Sequence, residues 1–248
     1  VPLRDVVRLH ATSGTVGKPV VVGYTKNDLA HWAALTARLL TWAGITDHDV
    51  VQIAYHYDLF TGGFGFHQGA ERLGASVIPA SATVPEKQIA IMKDYKTTAL
   101  LSTPSFAVRI VQELETAGMH PETLFLKCGL FGAEPWSENL RKELEGKLHL
   151  AAFDNYGLTE IMGPGVAGEC QEQNGLHVNE DHFIVYRLFF IQVQHHTPID
   201  EPNQVSNEQC PCSSYFFAGD TTFPFTLVCY VRFHHLPHVL SLIHISEP

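Results

Sequence analysis

From residue 19 to residue 153, short runs of β-branched residues alternate with longer stretches whose apolar positions recur every three or four residues. Residues 19–24 (PVVVGY) read as a strand. Residues 27–43 read as a helix. Leu29, Trp32, Ala33, Leu39, Leu40 and Ala43 fall on helical spacing, and Gly44 suits its stop. A strand at 50–54 precedes a Gly-rich turn and a helix toward Leu73, and 75–79 is again strand-like. Helix 85–95, strand 99–102 and helix 104–117 follow, the last with Thr103 as its cap, Pro104 at its first position and Gly118 at its end. The pattern closes with a strand at 124–127, a helix at 135–144 and a strand at 148–153. Strands alternating with helices imply βαβ units, hence an α/β fold with a mainly parallel sheet and flanking helices. Such sheets bind ligands beyond the carboxyl ends of their strands.

Composition changes this picture at one point. The chain has 248 residues, but residues 187–248 hold no lysine, one glycine (Gly219) and nine Phe or Tyr. A folded domain normally spends glycine on turns and lysine on its surface. We therefore divide the chain into residues 1–186, the informative part, and an irregular tail at 187–248, read as frameshifted or disordered sequence. The net charge of −10 argues against a nucleic-acid partner, which needs a basic face. No apolar run reaches the roughly 18 residues of a membrane span. Five irregularly spaced cysteines do not make a disulfide framework, so a reducing, cytoplasmic setting is expected.

Four segments carry chemistry. In TSGTVGKP (12–19), small hydroxyl residues, two glycines and Lys18 can converge on phosphate oxygens. The spacing is not that of a Walker A loop, and local chemistry alone equally allows an ordinary polar turn. LFTGGFGFHQG (59–69) fails the dinucleotide fingerprint, because the third glycine position is Gln68. Its aromatic residues, with Tyr55 and Tyr57, suit either an apolar pocket or plain core. GAEP (132–135) and DNYGLTE (154–160) each follow a predicted strand. The second offers an aromatic, a hydroxyl and carboxylates that could stack a base and hold magnesium.

Taken in order, SGTVGKP, LFTGG, GAEPW and YGLTE resemble the adenylate-forming acyl-CoA synthetase superfamily, and in phrasing its phenylacetate–CoA ligase branch. The likeness covers about residues 1–185. It implies the large N-terminal domain of an AMP-forming acid–thiol ligase. There an aryl carboxylate attacks the α-phosphorus of ATP, pyrophosphate leaves, and coenzyme A takes the acyl group from the adenylate. On this resemblance Thr12, Ser13, Gly14, Thr15, Gly17 and Lys18 hold phosphates, while Gly132, Ala133, Glu134 and Pro135 line the adenine slot with Tyr156 stacked on the base. Asp154, Asn155 and Gly157 line the same crevice. Thr159 touches the α-phosphate, Glu160 holds Mg2+, and Tyr55, Phe60, Ile161 and Pro164 border an aryl pocket. Lys18, Thr159 and Glu160 are then the catalytic set. No general base is needed, since the substrate carboxylate is ionised at neutral pH.

Departures from the family pattern sharpen the expectation. Val16 stands where a second threonine is usual, removing a hydroxyl worth about 0.5–1.5 kcal/mol if it bonds a phosphate. His56 and Asp58 stand where small residues are usual, leaving the choice of acid open. The family's mobile C-terminal domain carries a catalytic lysine, which a tail without lysine cannot supply. The chain therefore reads as the central part of the domain, open at both ends, and an inactive fragment or a nucleotide-binding module without turnover is the alternative. A nicotinamide-dependent oxidoreductase rests only on the failed glycine fingerprint. Cys170 and His177, with Cys210 and Cys212 downstream, are zinc-type ligands, although the downstream pair lies in the tail. Cys128 is expected to be a buried thiol, and the charged run 138–145 a solvated helix face.

Overall fold

A computed structural model describes residues 1–12, 18–187, 227–233 and 240–245. The chain divides into two units, Val1–Asn179 and Glu180–Pro248. In the second, strands β10 (Phe183–Arg187), β11 (Leu227–Phe233) and β12 (Leu240–Ile245) pair antiparallel in the order β10-β11-β12.

The first unit opens with an antiparallel pair, β1 (Val6–Ala11) and β2 (Val21–Thr25). Helix α1 (Lys26–Trp42) starts at Thr25, whose hydroxyl accepts from the Asp28 amide while the Asp28 carboxylate accepts from the Thr25 amide. This capping box satisfies donors that a helix start leaves without partners. Next come β3 (Val50–Ile53), α2 (Thr61–Leu73), β4 (Ser76–Ile78), α3 (Pro85–Tyr95), β5 (Ala99–Ser102) and α4 (Pro104–Thr116). β6 (Cys128–Gly132), α5 (Glu138–Leu148), β7 (Ala151–Leu158), β8 (Gly163–Gly168) and β9 (His177–Val178) complete the unit.

Seven strands form one sheet in the order β4-β3-β5-β6-β7-β8-β9. The links from β4 to β7 are parallel, and those from β7 to β9 antiparallel. Helices cover both faces. Leu39 and Leu40 of α1 and Phe66 and Ala70 of α2 pack on Val51, Ile53, Leu101 and Leu130. On the other face, residues of α3, α4 and α5, among them Met92, Ile110 and Leu144, pack on Leu100, Phe131 and Ala152. Cys128 is buried as expected.

Several expected bounds are corrected. The glycines at 62, 63, 65 and 69 lie inside α2, not in a turn before it. They admit close packing: a Cβ on Gly65 would lie 2.5 Å from the Trp32 ring, and one on Gly69 would lie 2.4 Å from the Thr36 hydroxyl oxygen. Without a glycine turn between strand and helix, the dinucleotide-binding argument loses its structural setting. The strand expected at 124–127 begins instead at Cys128, where pairing with Ala99 starts. The helix expected at 135–144 is displaced to Glu138–Leu148, because the Ser137 hydroxyl caps it by accepting from the Leu140 amide at 3.3 Å. β7 runs on through Leu158, so residues 154–158 lie in the strand, not after it. β1, β8 and β9 had no counterpart in the predicted pattern.

Candidate active site

The parallel strands end on one side around a cavity of about 360 Å³. Segments from four parts of the first unit form its wall. Thr12 and Lys18 come from the connection between β1 and β2, and Tyr55, Phe60 and Thr61 from the segment after β3 and the start of α2. Ala133 follows β6, while Asn155, Gly157, Thr159, Glu160 and Pro164 come from β7, the turn after it and the start of β8.

Local structure explains each placement. The Thr12 hydroxyl accepts from the Val20 amide and the Thr12 amide donates to the Val20 carbonyl, both at 3.0 Å, closing the base of the connection. Ser13, Gly14, Thr15, Val16 and Gly17 lie outside the described residues. Tyr55 is buried, its hydroxyl donates to the Ser102 carbonyl at 2.7 Å, and its ring stacks on Phe66. Burial pushes its phenol well above the ordinary range, so it stays protonated. The Thr61 and Thr159 hydroxyls meet at 3.3 Å across the wall. Asn155 is fixed by donating to the Phe131 carbonyl at 2.7 Å. Gly157 is required by close approach, since a Cβ there would sit 2.1 Å from the Gly163 carbonyl oxygen.

Glu160 is exposed at the rim beside the buried Thr159. Six expected residues stand next to the cavity but off its wall. Gly132 is buried in β6, and Pro135 is exposed. The Glu134 carboxylate accepts from the Ser105 amide at the start of α4. Tyr156 is half-buried, and Ile161 is fully buried. The Asp154 carboxyl is raised to about 6, first by burial, against a hydrogen bond from Trp136 that lowers it.

With this geometry in place, the sequence match decides the lineage. Residues 1–180 match the family described as AMP-binding enzyme. The chain belongs to that family. Among its curated relatives, the phenylacetate-coenzyme A ligase of Pseudomonas putida is 50% identical over 184 residues, covering 74% of this chain and 42% of the relative. The phenylacetate-coenzyme A ligase of Thermus thermophilus is 46% identical over 185 residues, with the same coverage of 74% and 42%. The chain thus spans less than half the length of these relatives. Among solved structures, a 2-hydroxyisobutyryl-CoA ligase in complex with 2-HIB-AMP gives a TM-score of 0.76 at 20% identity, covering 97% of this chain and 47% of that one. A long-chain-fatty-acid-CoA ligase from Archaeoglobus fulgidus gives 0.65 at 17% identity, covering 97% of this chain and 44% of that one. At these identities the likeness establishes the fold.

In this AMP-binding domain several wall residues carried no sequence expectation. Thr61 sits inside the quoted LFTGG segment, and its hydroxyl was the available signal. Val20 and Leu158 also line the cavity, and only topology brings them there; Phe66, one of the aromatics of 59–69 open to pocket or core, lines it as well. His10 is buried among Tyr24, Trp32 and Phe64, and its Nδ1 donates to the Leu59 carbonyl at 3.0 Å. Burial, foremost, lowers its pKa and favours the neutral ring. It ties β1 to the segment that carries Phe60. For zinc, Cys170 and His177 are half-buried, and Cys210 and Cys212 lie outside the described residues. Among the described residues no cluster of three His, Cys, Asp or Glu could hold a metal, and no helix is long and apolar enough to cross a membrane.

Proposed function

We propose that residues 1–186 form the nucleotide- and acid-binding part of an ATP-dependent ligase. It would activate phenylacetate or a related aryl acid as an acyl-adenylate and pass the acyl group to coenzyme A. The observation that carries this reading is convergence. The edge of the phosphate loop, an aromatic wall, the turn after β6 and the hydroxyl-rich end of β7 open on one cavity. Its volume of about 360 Å³ suits a small acid beside a phosphate group. The relatives at 46–50% identity support the choice of acid and thiol.

In this reading Lys18 and the loop residues Thr12 to Gly17 hold the leaving phosphates. Gly132 to Pro135 and Tyr156 bound the base, with Asp154 and Asn155 beside it. Tyr55, Phe60 and Pro164 face the aryl ring, and Ile161 backs that wall. The Thr159 hydroxyl, held 3.3 Å from the Thr61 hydroxyl, would donate to an α-phosphate oxygen while accepting from Thr61. The acid arrives ionised, so the chain's task is to orient it and neutralise charge. The Glu160 carboxylate and its hydroxyl neighbours are hard oxygen donors at the rim and fit magnesium. When bound, the ion would offset the charge of the leaving pyrophosphate.

The test is calorimetric titration of the chain with ATP and magnesium, followed by pyrophosphate release on adding phenylacetate. Binding with release supports the ligase. Binding without release assigns residues 1–186 as a nucleotide-binding module without turnover. Absence of ATP binding overturns both.

A further inference from the structure

The proposed base slot has two walls, the turn after β6 and the strand β7. A single buried side chain that does not line the cavity contacts both. Arg141 of α5 is 8% exposed, and its Nη1 and Nη2 donate to Oε2 and Oε1 of Glu169 at 2.7 and 2.8 Å. Glu169 is itself 5% exposed, and its Oε2 also accepts from the Asp154 amide at 2.7 Å. Asp154 immediately precedes the cavity residue Asn155. Arg141 Nη1 donates as well to the Ala152 carbonyl of β7. On its other side the guanidinium lies 4.9 Å from the centre of the Trp136 ring. Trp136 closes the turn after β6 and packs edge-on against Phe131, and its indole N–H lowers the pKa of the Asp154 carboxyl.

A buried ion pair is weak ground for stability alone, since well-packed apolar residues often serve as well or better. What this pair supplies is geometry. A planar fork held at both carboxylate oxygens permits little rotation. Its ring contact belongs to one wall of the slot, and its carboxylate partner, the residue after β8, is bonded to the other through the Asp154 amide. We infer that Arg141, Glu169 and Trp136 form a positioning assembly that sets the spacing of the nucleotide-base slot. None of the three lines the cavity, so they act through the turn and through β7. The inference rests on the functional reading above.

The experiment compares ATP, AMP and inorganic tripolyphosphate as ligands of the full chain. Tripolyphosphate presents phosphates without a base, so it reports on the phosphate loop alone. Three variants are used. Arg141→Lys keeps the charge and loses the fork. Trp136→Phe keeps a ring in place and loses the indole N–H. The double variant Arg141→Met with Glu169→Leu removes the pair without stranding a buried charge, which guards against a misfolded single variant. Affinity for ATP and for AMP should fall about tenfold, equivalent to about 1.4 kcal/mol, with tripolyphosphate affinity unchanged. Parallel losses for all three ligands would reduce the assembly to a general structural staple and overturn the inference. Unchanged ATP affinity in variants of a wild type that binds ATP overturns it alone. A wild type that binds tripolyphosphate but neither ATP nor AMP has no base slot, and the functional reading falls with the inference.

Discussion

Replacing Gly65 with alanine sets two effects of opposite sign against each other where α2 packs on α1. Gly65 is an interior residue of α2, where alanine would gain about 0.5–1 kcal/mol by restricting the unfolded chain. The added Cβ would lie 2.5 and 2.7 Å from two carbons of the Trp32 ring and 2.9 Å from Cγ of Pro164. Carbon atoms pack best at about 3.5–4.0 Å, so relief requires a shift of about 1 Å. Trp32 cannot yield by rotating: it is fully buried, and its indole N–H donates to the Pro164 carbonyl at 2.7 Å. Overpacking of this kind costs about 1–3 kcal/mol, so the net loss should be about 1–2 kcal/mol. For a unit of this size that lowers the melting temperature by roughly 3–6 °C. Gly146→Ala is the internal control. It lies on the exposed side of α5, and a Cβ there meets nothing within 4 Å. That variant should gain about 0.5–1 kcal/mol. Circular-dichroism melts and urea titrations of both variants measure the difference. If Gly65→Ala stabilises as much as Gly146→Ala does, the packing of α1, α2 and Pro164 described above is wrong.

Two further outcomes follow from the site. The Asp154 carboxyl is raised from 3.8 to about 6, so the folded state takes up its proton before the unfolded state does. Its penalty on stability is full above pH 6, fades as pH falls, and is gone below pH 3.8. At about 1.36 kcal/mol per pH unit, the wild type should lose up to about 3 kcal/mol relative to Asp154→Asn between pH 4 and pH 7; parallel urea titrations at the two pH values would refute this if the gap stayed constant. Tyr55→Phe strands the buried Ser102 carbonyl that the phenol now satisfies. It should cost about 1–3 kcal/mol in thermal unfolding, and a neutral result would mean that water reaches that carbonyl.

Sequence reading succeeded where one physical rule dominated. Pro85 at a helix start with 3.6-residue spacing, and the apolar run at 99–102, placed α3 and β5 at their observed bounds. It failed where tertiary packing overrode local preference. β8 is Gly163-Pro-Gly-Val-Ala-Gly168, which reads as a turn. Its glycines serve the close approach of α1: a Cβ on Gly168 would meet Leu39 at 2.6 Å, and one on Gly165 would meet Leu35 at 3.1 Å. The glycines of α2 misled in the same way, because a helix that packs tightly on α1 spends glycine just as a phosphate turn does. The site followed a similar division. Phe60, Ala133, Asn155, Gly157, Thr159 and Glu160 line the cavity and fall in short motifs, while Tyr55 and Pro164 line it and were expected from the family resemblance. Val20 and Leu158 were not, because an aliphatic residue gains its role only from the neighbours that folding supplies. The Arg141–Glu169 pair was hidden for a related reason. Within 138–145 the charges suggested a solvated face, and only the fold brings Glu169, 28 positions away, onto Arg141.

Charge poses the remaining question, because an acidic chain is proposed to bind a polyanion. The net charge is −10, and residues 1–186 contribute −7 of it, with 14 basic and 21 acidic residues. Screening confines each surface charge to about 8 Å at physiological ionic strength, so the average says little about one cavity. Among the described residues, Lys18 and Glu160 are the only charged ones on the wall. Side-chain charge alone therefore leaves the cavity near neutral, and one lysine cannot balance a triphosphate. Any favourable field must come from oriented backbone amides and from a cation held at the Glu160 rim. On that basis ATP affinity should depend steeply on magnesium and only weakly on surface lysines such as Lys93 or Lys142. The acidic surroundings would then favour recruitment of the cation at the cost of slower approach by the free nucleotide.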